Sequence, residues 1–316
     1  MSEIKKIATR ESYGKALVEL GEKYDNFIVM DADLAAATKT GVFKKQFPDR
    51  FYNCGIAEQN MMSLAAGFAS TGKTVFVSSF AMFAAGRAFE QVRNSIGYPH
   101  LNVKICASHA GISVGEDGAT HQCCEDIALM RTIPGMTVIN PADDVEARLA
   151  VLKAFEMEGP VYIRLGRLAV PVVFDDNYKF EIGKGVELKS GSDLTIIATG
   201  LMVKEALEAQ QMLESEGISA RVINMATIKP IDSEIIVKSA RETGAIVTAE
   251  EHSVIGGLGS AVCDVVCEQC PVPVVKLGVY DRFGMSGAAN DLLDIFGLRA
   301  KDIVVKAKEA LALKNK

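Results

Sequence analysis

Asn53–Met62 reads NCGIAEQNMM and sets one carboxylate, Glu58, among small and apolar residues that continue as SLAAGFA. A carboxylate in such a setting needs a partner or a task, because an unpaired charge among apolar groups is costly. A second concentration of chemistry is SHAGISVGEDGATHQ, which carries His109, Glu116, Asp117 and His121. The two glycines, two acids and histidine of GEDGATHQ suit neither a core nor a helix. A loop of this kind brings carboxylates and imidazoles to a small polar ligand. Imidazoles that titrate near neutral pH suit hydroxyl recognition and proton transfer. Phe80 and Phe83 stand three apart in SSFAMFAAGRAFEQVRNSI, Asp33 lies in DADLAAAT, and Arg167 follows VYIRLG. Singly, these have ordinary explanations: acids after strands cap helices, and paired phenylalanines fill cores. Their convergence is what points to a site.

The elements that would position them alternate. Short β-branched runs at 26–31, 73–79, 102–108, 136–140 and 160–165 read as buried strands, with RFYNCGI as a further candidate. Helical patterns lie between them at 9–24, 58–70, 82–96, 124–131 and 143–156. This βαβ repetition predicts a parallel sheet covered on both faces. The pattern breaks at 166–190 into an irregular connection with a short hairpin, then resumes. Strands at 194–200, 220–225, 245–250 and 273–279 alternate with helices near 203–216, 233–242, 257–268 and 300–313. The expectation is two doubly wound α/β domains, 1–180 and 181–316. Ligands of open α/β sheets bind at the carboxyl ends of strands, where the candidate residues cluster.

Composition narrows the function classes. The 316 residues are 49% hydrophobic and 23% charged, which is globular. A net charge of −6 without a basic run disfavours nucleic acid and anionic membranes as partners. No apolar stretch reaches the roughly 18 residues of a membrane span, and MSEIKKIATR is not a signal peptide. Seven irregularly spaced cysteines read as reduced thiols of a cytoplasmic protein. Cys263, Cys267 and Cys270 fall on a predicted helix with no histidine nearby, a poor metal site. The glycines of EEHSVIGGLGSAV open a helix that could take a phosphate, although GGLG alone is a weak signal.

PDRFYNCGIAEQNMMSLAAGFA, SSFAMFAAGRAFEQVRNSI, SHAGISVGEDGATHQCCEDIALMRTIPGMTVINPAD and VYIRLGR resemble the thiamine-diphosphate-dependent transketolases. Through TAEEHSVIGGLGSAV and VYDRFGMSG the resemblance extends to the family's C-terminal domain. It implies a pyrimidine-binding domain followed by a transketolase C-terminal domain, which supports the dimer and contributes no catalytic residue. Transketolases also hold magnesium and diphosphate on an N-terminal domain with a Gly-Asp-Gly motif, and this sequence has none. The resemblance therefore implies one half of a split enzyme. An N-terminal subunit would hold the cofactor's diphosphate and Mg2+, in an α2β2 assembly acting on sugar phosphates.

The resemblance also implies roles. Glu58 would hydrogen-bond the aminopyrimidine and promote loss of the cofactor's C2 proton. Apolar surroundings suit a carboxyl that must hold a proton, while a helix start opposes it. Phe80 and Phe83 would flank the pyrimidine, and Ile56 would wedge the cofactor into its bent shape. Asp33 and Leu34 would reach it across the subunit interface. His109, Asp117 and His121 would hold substrate hydroxyls, with His109 and His121 also moving protons. Arg167 would bind the substrate phosphate, sharing it with His109. The sequence departs from the family in two places. Ala35–Thr38 replaces a phosphate-contacting serine, with Thr38 as the candidate substitute, and Gly86 or Arg87 falls where some members carry a third aromatic. The rival readings are the E1 β subunit of a 2-oxo acid dehydrogenase, half of a deoxyxylulose-phosphate-synthase-like enzyme, and a non-catalytic module of the same fold. GEDGATHQ suits a polyhydroxylated substrate better than a 2-oxo acid.

Overall fold

The computed structural model describes residues 5–315. The outermost residues of the expected domains, 1–4 and 316, lie outside the described residues. Two sheets organise the chain. The larger has seven strands in the order Thr227–Lys229, Thr137–Ile139, Val161–Arg164, Val103–Ala107, Thr74–Ser78, Phe27–Asp31 and Phe51–Asn53. All its pairings are parallel except that of Thr227–Lys229. The second has five strands in the order Val274–Val279, Ile246–Ser253, Leu194–Ala198, Ala220–Asn224 and Val186–Lys189, the last antiparallel.

The inner strands are buried on both faces, as their unbroken apolar runs require. Phe27–Asp31 alternates strictly. Ile28 and Met30 pack with Met61, Met62 and Ala65 of helix Glu58–Ala69 on one face. Phe27 and Val29 pack with Tyr13, Leu17 and Leu20 of helix Thr9–Lys23 on the other. Burying side chains of this size stabilises the layer by roughly 1.5–3 kcal/mol each. Asp31 closes the strand, its carboxylate accepting from Thr38 Oγ1 at 2.7 Å, Thr40 Oγ1 at 2.9 Å and Leu34 N–H at 2.5 Å. Burial still raises its pKa above the ordinary value. Among the described residues no helix is long and apolar enough to cross a membrane.

Three expectations are corrected. Residues 82–96 do not form one regular helix: π-helical turns over Met82–Arg87 and Val92–Gly97 flank a short α segment at Phe89–Gln91. The Ala88 N–H reaches back five residues to the Phe83 carbonyl at 3.2 Å. Such wide turns are rare and recur at functional sites. The connection at 166–190 is not a hairpin. Val170–Pro171 pairs with Lys6–Ile7, and Val186–Lys189 with Ala220–Asn224, so each half finds a distant partner. The GGLG turn is no anion site either. The Leu258 and Gly259 N–H groups at the start of helix Leu258–Gln269 each donate to the Glu250 carboxylate at 2.7 Å. The chain thus supplies its own anion there.

Candidate active site

The parallel strands deliver the candidate residues to one sheet edge. Pairing of Thr74–Ser78 with Val103–Ala107 carries on one step beyond the strands, where Phe80 bridges Ser108. That register lays the His109 ring on Phe80, centroids 3.8 Å apart, and Phe80 stacks on Phe83 at 6.2 Å. His121 stands edge-on to Phe83 at 5.3 Å and to Phe80 at 6.3 Å. Four rings from three segments thus form one apolar wall.

Glu58 begins its helix, 2% exposed, and is not unpaired. Ser79 Oγ donates to its Oε1 at 3.2 Å, and Arg87 Nη1 to its Oε2 at 2.9 Å. The Arg87 guanidinium also lies 4.5 Å over the Phe83 ring. Arg87 spans Phe83 and Glu58 with a planar N–C–N group that stacks on one and donates to the other. An aminopyrimidine is likewise a flat N–C–N system that could lie on Phe83 with a ring nitrogen turned to Glu58, there accepting from a protonated carboxyl where the guanidinium donates to a charged one, so the residues present fit that half of thiamine diphosphate. Among the described residues no group of three or more His, Cys, Asp or Glu is gathered to hold a metal ion.

His109 has a partner at each ring nitrogen. Its Nε2 faces Arg10 Nη1 at 2.9 Å and its Nδ1 faces Ser108 Oγ at 2.9 Å. Arginine only donates, so Nε2 accepts and the ring proton sits on Nδ1. Desolvation, then the Arg10 and Arg167 charges, push its pKa down to about 3. The His109 imidazole is thus held neutral at pH 7 in this chain. His121 is half-buried, with Nδ1 2.9 Å from Thr120 Oγ1.

Arg10 was not legible as a site residue. It starts helix Thr9–Lys23, and nothing in its local sequence sets it apart. The fold carries it to His109, where Nη1 also donates to the Ala37 carbonyl at 3.0 Å. With Arg167 it makes a cationic corner, and each arginine's proximity acts on His109. Arg167 is held there: Nη1 donates to the Val114 carbonyl and to Glu116 Oε2, the latter at 2.7 Å. The Glu116 carboxylate paired with it is exposed. Asp117 is exposed on the same loop.

Other expected contributors stand apart from the ring wall. Thr38 is fully buried and donates its hydroxyl to Asp31. Ile56 is 78% exposed, after Gly55 at φ +68°, and wedges nothing within its own chain. Asp33 is exposed at φ +66° and accepts from Asn53 Nδ2 at 2.7 Å, with Leu34 half-buried beside it. Cys263 and Cys270 are half-buried and Cys267 exposed, all free thiols.

The pyrimidine-binding domain model of transketolase matches residues 5–172, and the transketolase C-terminal domain model matches residues 183–303. The chain belongs to the transketolase family. It carries two of the family's domains in the expected order and with the expected doubly wound α/β architecture. A Methanocaldococcus jannaschii protein assigned as a transketolase C-terminal section is 52% identical over 96% of each chain. The 6-deoxy-6-sulfo-D-fructose transketolase subunit of Clostridium sp. strain MSTE9 is 45% identical, over 97% of this chain and 95% of its own. The solved structure of a split gene transketolase, an inactive beta4 tetramer, superposes with a TM-score of 0.90 at 57% identity. It covers 98% of this chain and 100% of its own. The transketolase portion seen here thus matches relatives that hold it as a separate section or subunit.

Proposed function

We propose that the chain is a subunit of a thiamine-diphosphate-dependent transketolase that moves a two-carbon ketol unit from a ketose phosphate to an aldose phosphate. A second polypeptide, with the Gly-Asp-Gly motif, would hold the diphosphate and Mg2+ in an α2β2 assembly. The observation that carries this reading is the planar group held between Glu58 and Phe83 at the head of a ring wall. When bound, the cofactor supplies the carbon nucleophile for ketose cleavage. In this reading Glu58 holds a proton at Oε2 for the pyrimidine nitrogen that takes the place of Arg87. Phe80 and Phe83 exclude water from one face, and Ile56, Asp33 and Leu34 meet the cofactor at the interface with the partner. His121 and Asp117 meet the substrate hydroxyls. Neutral His109 orients substrate rather than carrying charge, and Arg10 and Arg167 face the terminal anion.

The test combines the chain with a Gly-Asp-Gly polypeptide, thiamine diphosphate and Mg2+, then offers a ketose phosphate and an aldose phosphate. Two-carbon transfer is expected from the mixture and none from this chain alone, in keeping with the inactive beta4 relative. Full activity from the chain alone would refute the division of the site. Turnover of pyruvate with a lipoyl acceptor, and none of sugars, would assign the chain to the 2-oxo acid dehydrogenases.

The cationic corner makes its own prediction. Arg167→Ala should lower kcat/KM for phosphorylated sugars about tenfold to a hundredfold, the worth of a charge-assisted contact of ~1.5–3 kcal/mol. Unphosphorylated analogues should be turned over as by the parent protein. An equal loss on both substrates would mean that Arg167 merely braces the loop through Val114 and Glu116.

A further inference from the structure

The loop Ser108–Gln122 belongs to the pyrimidine-binding domain, yet much of its support comes from the other domain. Glu251, at the end of strand Ile246–Ser253, is 4% exposed and points its carboxylate at the loop. The Ser113 N–H donates to its Oε1 at 2.5 Å. Gly111, at φ +79°, lies so close that a Cβ there would sit 2.3 Å from the Glu251 carboxyl carbon. Arg164 Nη2 donates to the Glu251 carbonyl at 2.9 Å, fixing the backbone behind the carboxylate. A second grip lies at the loop's far end. Gln122 Nε2 donates to the carbonyls of Met285 at 2.9 Å and Ile112 at 3.0 Å, tying the turn to the 281–287 segment. Gly118 approaches Ser286 with no room for a Cβ, which would stand 2.4 Å from its hydroxyl. Ile112, fully buried, packs into the core of the C-terminal domain.

These grips bear on the side chains that face substrate. His109 lies two residues before Gly111. Val114, next to Ser113, supplies the carbonyl that holds Arg167, and Glu116 supplies its carboxylate. His121 is the neighbour of Gln122. The turn that Glu251 contacts therefore lies between His109 and His121 and carries the Val114 carbonyl that holds Arg167.

We propose that Glu251 is a positioning residue for substrate, by which the C-terminal domain sets the 111–118 turn and, through it, His109 and Arg167. This rests on the reading of the site as a sugar-phosphate transferase. Glu251 touches neither the Phe83 slot nor Glu58, so its removal acts on substrate and not on cofactor. A displaced turn weakens the contacts that His109 and Arg167 make with bound substrate, each worth a charge-assisted or ordinary hydrogen bond.

The test uses the reconstituted two-polypeptide enzyme and three variants. Glu251→Ala should raise KM for the ketose phosphate about tenfold, with thiamine diphosphate affinity, read by calorimetry, and kcat both within about twofold of the parent. Glu251→Gln keeps an acceptor oxygen opposite the Ser113 N–H and should restore most of the loss. Gly111→Ala pushes the turn off an intact Glu251 and should reproduce the KM defect. Unchanged KM in Glu251→Ala would overturn the proposal. So would a parallel fall in cofactor affinity and kcat, or failure of the Gln variant to rescue. Backbone amide exchange over 111–118 in this chain alone gives a reading free of catalysis, faster in Glu251→Ala and restored in Glu251→Gln. If the parent mixture transfers no two-carbon unit, the functional reading fails, and the exchange result still decides whether Glu251 holds the turn.

Discussion

Glu58→Gln in the reconstituted enzyme should lower two-carbon transfer by about 10²–10⁴, the range of a lost general acid–base group, while the fold stays intact. The amide has nearly the shape of the carboxyl and can still meet Ser79 Oγ and a pyrimidine nitrogen, but it cannot give and take a proton. Folding should survive because the partner charge, Arg87, has a side chain 48% exposed and turns to water when its carboxylate is lost. Glu58→Ala should behave alike in rate, with a further loss of cofactor affinity from the missing hydrogen bond. Arg87→Ala is the informative companion. The guanidinium occupies the position that a pyrimidine needs, so its removal should leave transfer in place at saturating cofactor. Measured initial rates, with thermal denaturation as the check on folding, decide both. A Glu58→Gln enzyme within a factor of a few of the parent would remove Glu58 from the chemistry.

The largest stability effect should come from the ion pair buried at the domain junction. Arg164 Nε donates to Asp126 Oδ2 at 2.8 Å, both side chains being almost wholly shielded from solvent. The Tyr162 hydroxyl donates to the same oxygen at 2.8 Å, and Arg164 Nη2 holds the carbonyls of Cys123 at 3.2 Å and Glu251 at 2.9 Å. The paired charges hold the Arg164 pKa above its ordinary value despite burial. Arg164→Met should cost about 3–5 kcal/mol, because it strands the Asp126 carboxylate without a countercharge. With Arg164 in place, His252 does not share the pairing. Its Nε2 is 4.0 Å from Asp126 Oδ1, and burial lowers its pKa to about 4, leaving it neutral at pH 7. Asp126→Asn on top of Arg164→Met should recover part of the loss by removing that stranded charge. Urea midpoints of the parent and the two variants settle this, and a loss below about 1 kcal/mol in Arg164→Met would show that water reaches the pair.

The alternating strands and helices were legible because a parallel sheet covered on both faces demands continuous apolar runs, and residues such as Phe27–Met30 supply them locally. Glu58, the two phenylalanines and the GEDGATHQ loop stood out for a related reason: each breaks a local rule of composition. What stayed hidden depends on partners far along the chain. Thr227–Lys229 completes the other domain's sheet through pairing with Thr137–Ile139. Arg10 becomes a site residue across 99 positions, through His109. The Glu250 carboxylate, eight residues before Leu258, turned a glycine-rich helix start from a candidate anion site into a self-capped one.

The sequence by itself determined the family, the two α/β layers and the strand ends at which the candidate residues gather. All of these are written in periodicity and in short motifs. Only the tertiary structure decided the charge states and the supports. It made His109 a neutral acceptor, gave Glu58 the Arg87 guanidinium as its partner, spent Thr38 on Asp31 and set the substrate loop against Glu251. The reason is physical. Burial and opposing charge are sums over neighbours that the fold brings together from distant positions, and no local run of residues contains them.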